Sequence, residues 1–155
     1  MAYIQAAKEQ PDDAGCIFCD LPAEGDDERT MILARGELAF VILNSFPYNP
    51  GHLMVAPFRH VGDFAALQPD ELAGVDALVA RSIRALEAEM EPHGFNLGMN
   101  LGRVAGAGIP GHVHWHVVPR WNGDTNFMPV VGQTRVLPEL LEESYARLLP
   151  RFEAA

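Results

Sequence analysis

The sequence predicts an α+β domain: an antiparallel sheet of about five strands, one long helix and a C-terminal helix. Residues 111–121, Gly-His-Val-His-Trp-His-Val-Val-Pro-Arg-Trp, alternate histidine with apolar side chains, the period of two that a strand produces. Leu72, Val75, Leu78, Val79, Ile83, Leu86 and Met90 recur at three and four, which lays one apolar stripe along a helix. Short apolar runs between Gly- and Pro-containing turns supply the other strands. With 155 residues the chain can bury one core but not two ordinary ones. Residues 1–15 therefore read as a flexible N-terminal arm and 16–155 as a single domain.

The only cysteines stand in Cys16-Ile17-Phe18-Cys19, a spacing that suits a redox pair or half of a tetrahedral zinc site. The acidic, polar segment before them argues against the redox pair. Leu21 to Thr30, with Pro22, Gly25 and several acids, reads as an exposed loop. Met31–Ala34 and Glu37–Leu43 read as a hairpin turning at Arg35-Gly36, and Asn44 closes its second strand as a turn former. Phe46-Pro47-Tyr48-Asn49-Pro50-Gly51 is a rigid turn, with proline restricting φ and glycine permitting the bend. It leads into a third strand, His52–Pro57.

Pro69, Asp70 and Glu71 suit the first turn of a helix running to about Glu91, which Pro92-His93-Gly94 ends; His93 then lies at the surface. Phe95–Leu101 alternates as a fourth strand and puts Asn96 and Asn100 on one face. The loop from Arg103 to Gly111 contains Gly106, Gly108 and Gly111, and such a loop lets backbone amides approach an anion. Beyond Arg120, the side chains Trp121, Phe127 and Met128 could stack on a base or pack against the helix or a dimer mate. A short amphipathic helix from Glu139 to about Leu149 buries Leu140, Leu141, Tyr145, Leu148 and Leu149.

Hydrophobic residues make up 48% and charged residues 21% of the chain, the balance of a soluble globular protein. The net charge of -10 opposes non-specific binding to nucleic acid or an anionic membrane. It does not exclude a small nucleotide, for which Arg103, Arg120 and Arg135 are local donors. Without an apolar run of transmembrane length or a basic-then-apolar leader, a cytoplasmic location is expected.

The alternation points His112, His114 and His116 to one face, roughly 6.6 Å apart in succession. Two chemistries fit such a row. Neutral imidazoles ligate metals; an imidazole whose second nitrogen is held by a hydrogen bond can also attack phosphorus and form a phosphoramidate.

The row His112-Val-His114-Trp-His116-Val-Val, followed by Pro119 and Arg120, resembles the signature of the histidine triad (HIT) family of nucleotide hydrolases and transferases. Asn44, Pro50-Gly51-His52, the segment from Asn96 to Gly108 and Gly123-Asp124-Thr125-Asn126-Phe127 extend the resemblance over most of the chain. It is nearest to bacterial diadenosine tetraphosphate hydrolase- and phosphorylase-like members.

The resemblance implies a HIT-like fold, a homodimer, and a structural zinc held by Cys16, Cys19, His60 and His112. It also implies that His114 is the nucleophile toward an α-phosphate, and that His116 binds the phosphate and helps protonate the leaving group. Asn100 and the amides of Gly106, Ala107 and Gly108 would stabilise non-bridging oxygens, Asn44 would hold ribose, and His52 would support the active histidines. Substrates of this type are dinucleoside polyphosphates or related adenine nucleotide conjugates. Ala107-Gly108 stands where a phosphorylase-like loop tends to offer Gly-Ser, which weakens phosphorolysis relative to hydrolysis. Two rivals remain: a metal-dependent hydrolase in which all three histidines bind metal, and a non-catalytic nucleotide-binding protein.

Overall fold

A computed structural model describes residues 15–125 and 139–153. The expected N-terminal arm, save Gly15, and the residues Phe127, Met128 and Arg135 lie outside the described residues. Two short helices, α1 (Ile17–Ala23) and α2 (Asp27–Thr30), precede the strands β1 (Ile32–Arg35), β2 (Ala39–Leu43) and β3 (Leu53–Pro57). The long helix α3 (Pro69–Met90), strands β4 (Gly94–Gly98) and β5 (Trp115–Arg120), and helix α4 (Leu141–Glu153) follow. The strands form one antiparallel sheet in the order β1-β2-β3-β5-β4. No described helix is long and apolar enough to cross a membrane.

The sheet has two differently used faces. On one, α3 and α4 bury Val75, Leu78, Leu86, Tyr145, Leu148 and Phe152 against Leu43, Leu53, Val55 and Val117. The Tyr145 hydroxyl donates to the carbonyl of Ile32 at 3.1 Å, so the ring enters the core without stranding its polar end. The other face carries a smaller cluster of Phe18, Phe40, Ile42, Met54 and Ala56. His116 pairs with Met54 across β5 and β3, and paired residues share a face. The histidines therefore lie opposite the long helices.

The long helix starts where its sequence signals place it. The main-chain N–H of Gln68 donates to Glu71 Oε2 at 2.8 Å, and Glu71 also accepts from Arg59 at 2.7 and 2.6 Å. The guanidinium beside it holds the Glu71 carboxyl down to about 2.

Four sequence expectations need correction. Leu21–Thr30 is not a single loop: the helix α1, N-capped by Cys16, runs on to Ala23, and the Asp26 side chain accepts from Arg29 N at 3.1 Å to start α2. The acids read as loop residues are helix-start residues here. The fourth strand ends at Gly98 and not Leu101, so Asn100 lies in the turn beyond it. The ladder of β5 begins at Trp115, with Val113 N donating instead to Val61 O at 2.8 Å. Leu140 is 65% exposed, because α4 begins one residue later, and its buried side extends to Phe152.

Candidate active site and metal centre

The CxxC spacing becomes a ligand pair through helix geometry. The amides of Cys19 and Asp20 both donate to Cys16 O at 2.8 Å, and this first turn brings the two thiols to one side of α1. Cys16 Sγ lies 3.3 Å from His112 Nδ1, Cys19 Sγ lies 3.3 Å from His60 Nδ1, and the Cys19 to His112 separation is 3.6 Å. The four ligand atoms all fall within 4.8 Å of one another. His112 Nε2 is 2.8 Å from the carbonyl of Pro57; only a donor fits there, so the proton sits on Nε2 and the Nδ1 lone pair faces the sulfurs. Burial and the neighbouring Cys16 push the Cys19 thiol up to about 11, so a metal would have to displace its proton on binding. Two thiolates and two imidazole nitrogens, with one imidazole oriented by a carbonyl, are a donor set that fits tetrahedral zinc.

His114 is 4% exposed, and its Nδ1 donates to the carbonyl of His112 at 2.8 Å. That bond leaves the Nε2 lone pair for chemistry. Phe18, carried by α1 between the two cysteines, packs its ring 4.6 Å from the His114 ring. Burial keeps the imidazole below its ordinary range and so neutral at pH 7.

His116 presents the opposite nitrogen state, and its neighbours dictate it. The Asn44 amide is oriented by Phe46 N, which donates to its Oδ1 at 2.9 Å. The Asn44 Nδ2 group therefore points to His52 Nδ1 at 3.4 Å, and Tyr48 N donates to the same nitrogen at 3.1 Å. With Nδ1 acting as acceptor, neutral His52 carries its proton on Nε2, and it donates to His116 Nδ1 at 3.0 Å. His116 in turn keeps its proton on Nε2. Burial first and the charge of His114 second push it down to about 4. The rings of His114 and His116 are centred 5.1 Å apart and edge-on, one keeping a lone pair on Nε2 and the other an N–H.

The expected site residues divide accordingly. Cys16, Cys19, His60 and His112 meet at one end, and Asn44, His52 and His116 meet at the other. Asn44 is 7% exposed with its amide engaged by Phe46 and His52. Asn100 lies over the loop, its Nδ2 3.8 Å from where a Cβ on Gly106 would stand. That loop folds as a tight turn in which Gly106 N donates to Arg103 O at 3.0 Å and Ala107 N to Gly102 O at 3.2 Å, so these two amides are already paired; Gly108 follows them. Arg120 is bound by Asp124 at 2.6 and 2.7 Å and by Asn96 at 2.5 Å, rather than held ready as a phosphate donor. Trp121 Nε1 donates to Met90 O at 3.3 Å, which makes it a packing residue at the end of α3.

The sequence reading missed Phe18 over His114, the Pro57 carbonyl behind His112, and the Asp124 carboxylate.

A family model described as the HIT domain matches residues 27–123. Across 127 residues the chain is 44% identical to a Mycobacterium tuberculosis protein named AP-4-A phosphorylase, covering 82% of this chain and 65% of that relative, so it spans slightly less than two thirds of that relative's length. An uncharacterised HIT-like protein of Mycoplasma genitalium is 33% identical over 132 residues, covering 85% of this chain and 90% of its own. Among solved structures, a zinc-bound histidine triad family protein from Mycobacterium smegmatis superposes with a TM-score of 0.73 at 28% identity, covering 90% of this chain and 94% of that one.

Proposed function

Because this chain belongs to the HIT family, we propose that it is a nucleotide hydrolase or nucleotidyl transferase that works through a nucleotidyl-histidine on His114. One observation carries the reading: rings centred 5.1 Å apart keep a lone pair on Nε2 of His114 and an N–H on Nε2 of His116, a nucleophile and a hydrogen-bond donor in one site. His114 Nε2 attacks the α-phosphorus of a dinucleoside polyphosphate or related adenine nucleotide conjugate. The P–N bond forms as the P–O bond to the leaving group breaks; the polyphosphate departs as its anion, and the His116 Nε2–H donates a hydrogen bond to the departing oxygen. Water or phosphate oxygen then attacks phosphorus, the P–N bond breaks to return neutral His114, and any proton of the attacking water passes to solvent. Asn100, in the turn beside the Gly106–Gly108 loop, stabilises charge on the non-bridging oxygens, while Asn44, its amide engaged by Phe46 and His52, supports His52 in place of the ribose contact that the resemblance implies.

Cys16, Cys19, His60 and His112 hold a structural zinc in this reading, and the bound ion crosslinks α1 to the strands. The cysteine-bearing helix then keeps Phe18 against His114. A homodimer completes the proposal, supported by the position of β4 at the sheet edge with Leu97 53% and Leu101 47% exposed. The rival site with all three histidines on one metal gains no support, because His112 Nδ1 faces the sulfurs while His114 Nδ1 is committed to a carbonyl.

Whether water or phosphate is the acceptor divides two versions of the reaction. Water is favoured by Ala107-Gly108 in the loop, whereas the 44% identity to a protein named AP-4-A phosphorylase favours phosphate. Diadenosine tetraphosphate separates them: hydrolysis at the α-phosphorus yields AMP and ATP, phosphorolysis ADP and ATP. Intact-mass measurement should find an adenylylated wild-type protein, and His114→Ala should carry no adduct and lose about 10⁴-fold or more in turnover. Full turnover by His114→Ala would overturn the mechanism, and tight binding without turnover by the wild type would leave a nucleotide-binding protein.

A further inference from the structure

We propose that Asp124 is a positioning residue for the His52–His116 pair, strapping the turn over residues 46–51 to the end of β5 so that His52 Nε2–H stays on His116 Nδ1. The inference rests on the reading of His116 as hydrogen-bond donor to the leaving oxygen. It begins from how His52 is held. Its main-chain N–H donates to Asn49 O at 3.1 Å, and its ring accepts from Tyr48 N at 3.1 Å. Both ends of the residue are therefore referred to the conformation of one turn.

That turn is anchored on two sides. Gly51, at φ +73, sits so close to α3 that a Cβ would come within 2.6 Å of Met90 Sδ and 2.9 Å of Leu86. On the other side the Asn49 side chain donates to the carbonyl of Pro119 and to Asp124 Oδ2, both at 2.9 Å. Asp124 is itself over-determined: Arg120 binds both its oxygens, Trp121 N donates to Oδ2 at 3.1 Å, and Arg120 reaches on to Asn96 in β4. Gly123, at φ +80, lets the chain reverse so that Asp124 meets Arg120 four residues earlier. The carboxylate thus ties the ends of two strands to the turn that aims His52. A hydrogen bond of 3.0 Å between imidazoles tolerates little displacement. Once it loosens, His116 is free to carry its proton on Nδ1 and loses the N–H that the leaving oxygen needs.

The test uses the full zinc-loaded chain. Long-range ¹⁵N–¹H spectra of the histidines, recorded without substrate, should show wild-type His116 as the Nε2–H tautomer. Asp124→Ala and Asn49→Ala should each convert it to a tautomer mixture, with kcat for diadenosine tetraphosphate lowered about 10-fold, KM within about 2-fold and zinc content unchanged. Asn49→Ala keeps the Arg120–Asp124 pair and the Asn49 carbonyl, so it decides the matter even if Asp124→Ala fails to fold. A wild-type His116 spectrum and wild-type kcat in Asn49→Ala would overturn the proposal. The spectrum reports on positioning independently of turnover, so failure of the nucleotidyl-histidine reading would be seen separately, in His114→Ala.

Discussion

His112 and His116 point to the same face of the sheet four residues apart, but they expose opposite nitrogens. His112 donates through Nε2 to a main-chain carbonyl and turns a lone pair on Nδ1 toward two thiols. His116 accepts at Nδ1 from another imidazole and keeps its proton on Nε2. His116 lies in β5 while His112 precedes it, yet strand membership does not set the difference. It comes from the partner brought up behind each ring: an acceptor at Nε2 turns the His112 lone pair outward on Nδ1, and a donor at Nδ1 leaves His116 its N–H on Nε2. His114 stands between them, held as His112 is by a carbonyl but through the other nitrogen, and so keeps its lone pair on Nε2.

The largest effect that would test this contrast is at the thiol end. Cys19→Ser should abolish stoichiometric zinc, measured by metal analysis. It should also lower the melting temperature by about 10 °C, since a lost structural metal costs several kcal/mol and each kcal/mol moves a domain of this size by roughly 2–4 °C. The ¹⁵N signature of His116 should stay that of the Nε2–H tautomer. Retained zinc would remove Cys19 from the ligand set, and a changed His116 tautomer would mean that the two ends are not independently held.

At the imidazole end, His52→Phe keeps a ring of similar size but withdraws the donor from His116 Nδ1. Turnover should fall about 10²-fold with zinc content unchanged, the low end of what loss of one hydrogen-bond donor to a developing oxyanion costs. His52→Gln can still present an N–H and should recover part of that loss. Equal activity in the two variants would show that shape rather than hydrogen bonding is what His52 supplies, and the contrast between the ends would collapse.

The contrast also marks how far the sequence was legible. Period-two alternation and the apolar stripe of α3 are local patterns, and they placed the sheet and the long helix correctly, although the strand drawn through all three histidines begins only at Trp115. Local pattern failed at α1 and α2, where Pro22 and the acids that begin helices look like loop residues, and at Leu140, whose burial depends on where α4 starts. The cluster of Cys16, Cys19, His60 and His112 was expected through family resemblance, since His60 and His112 are 41 and 93 residues from Cys19 and no spacing rule links them. The nitrogen states were illegible for the same reason: His52 meets His116 across 64 residues and Pro57 meets His112 across 55. Which nitrogen holds the proton is decided by contacts that exist only after folding.

The smallest effect is a pH dependence of stability belonging to the His116 end. Burial, and then His114, bring His116 from an ordinary 6.5 down to about 4. Between those values the unfolded chain binds a proton that the folded chain refuses, so stability falls as pH drops from about 6.5 toward 4 and levels off below. The lowered carboxylates act elsewhere: Glu71, held down to about 2, and Asp124, held lower by Arg120, are ionised in both states above about pH 4.5 and lose their contribution only at more acid pH. Because His116 keeps partial contact with water, its share is about 1 kcal/mol rather than the larger value that its full shift would convert to. Chemical denaturation at pH 6.5 and 4.5 should therefore show a shallower loss for His116→Asn than for the wild type, by about that amount. An equal loss in both would place the titrating group on the other histidines of the row, and the distinction between a ligand end and a donor end would have no thermodynamic trace.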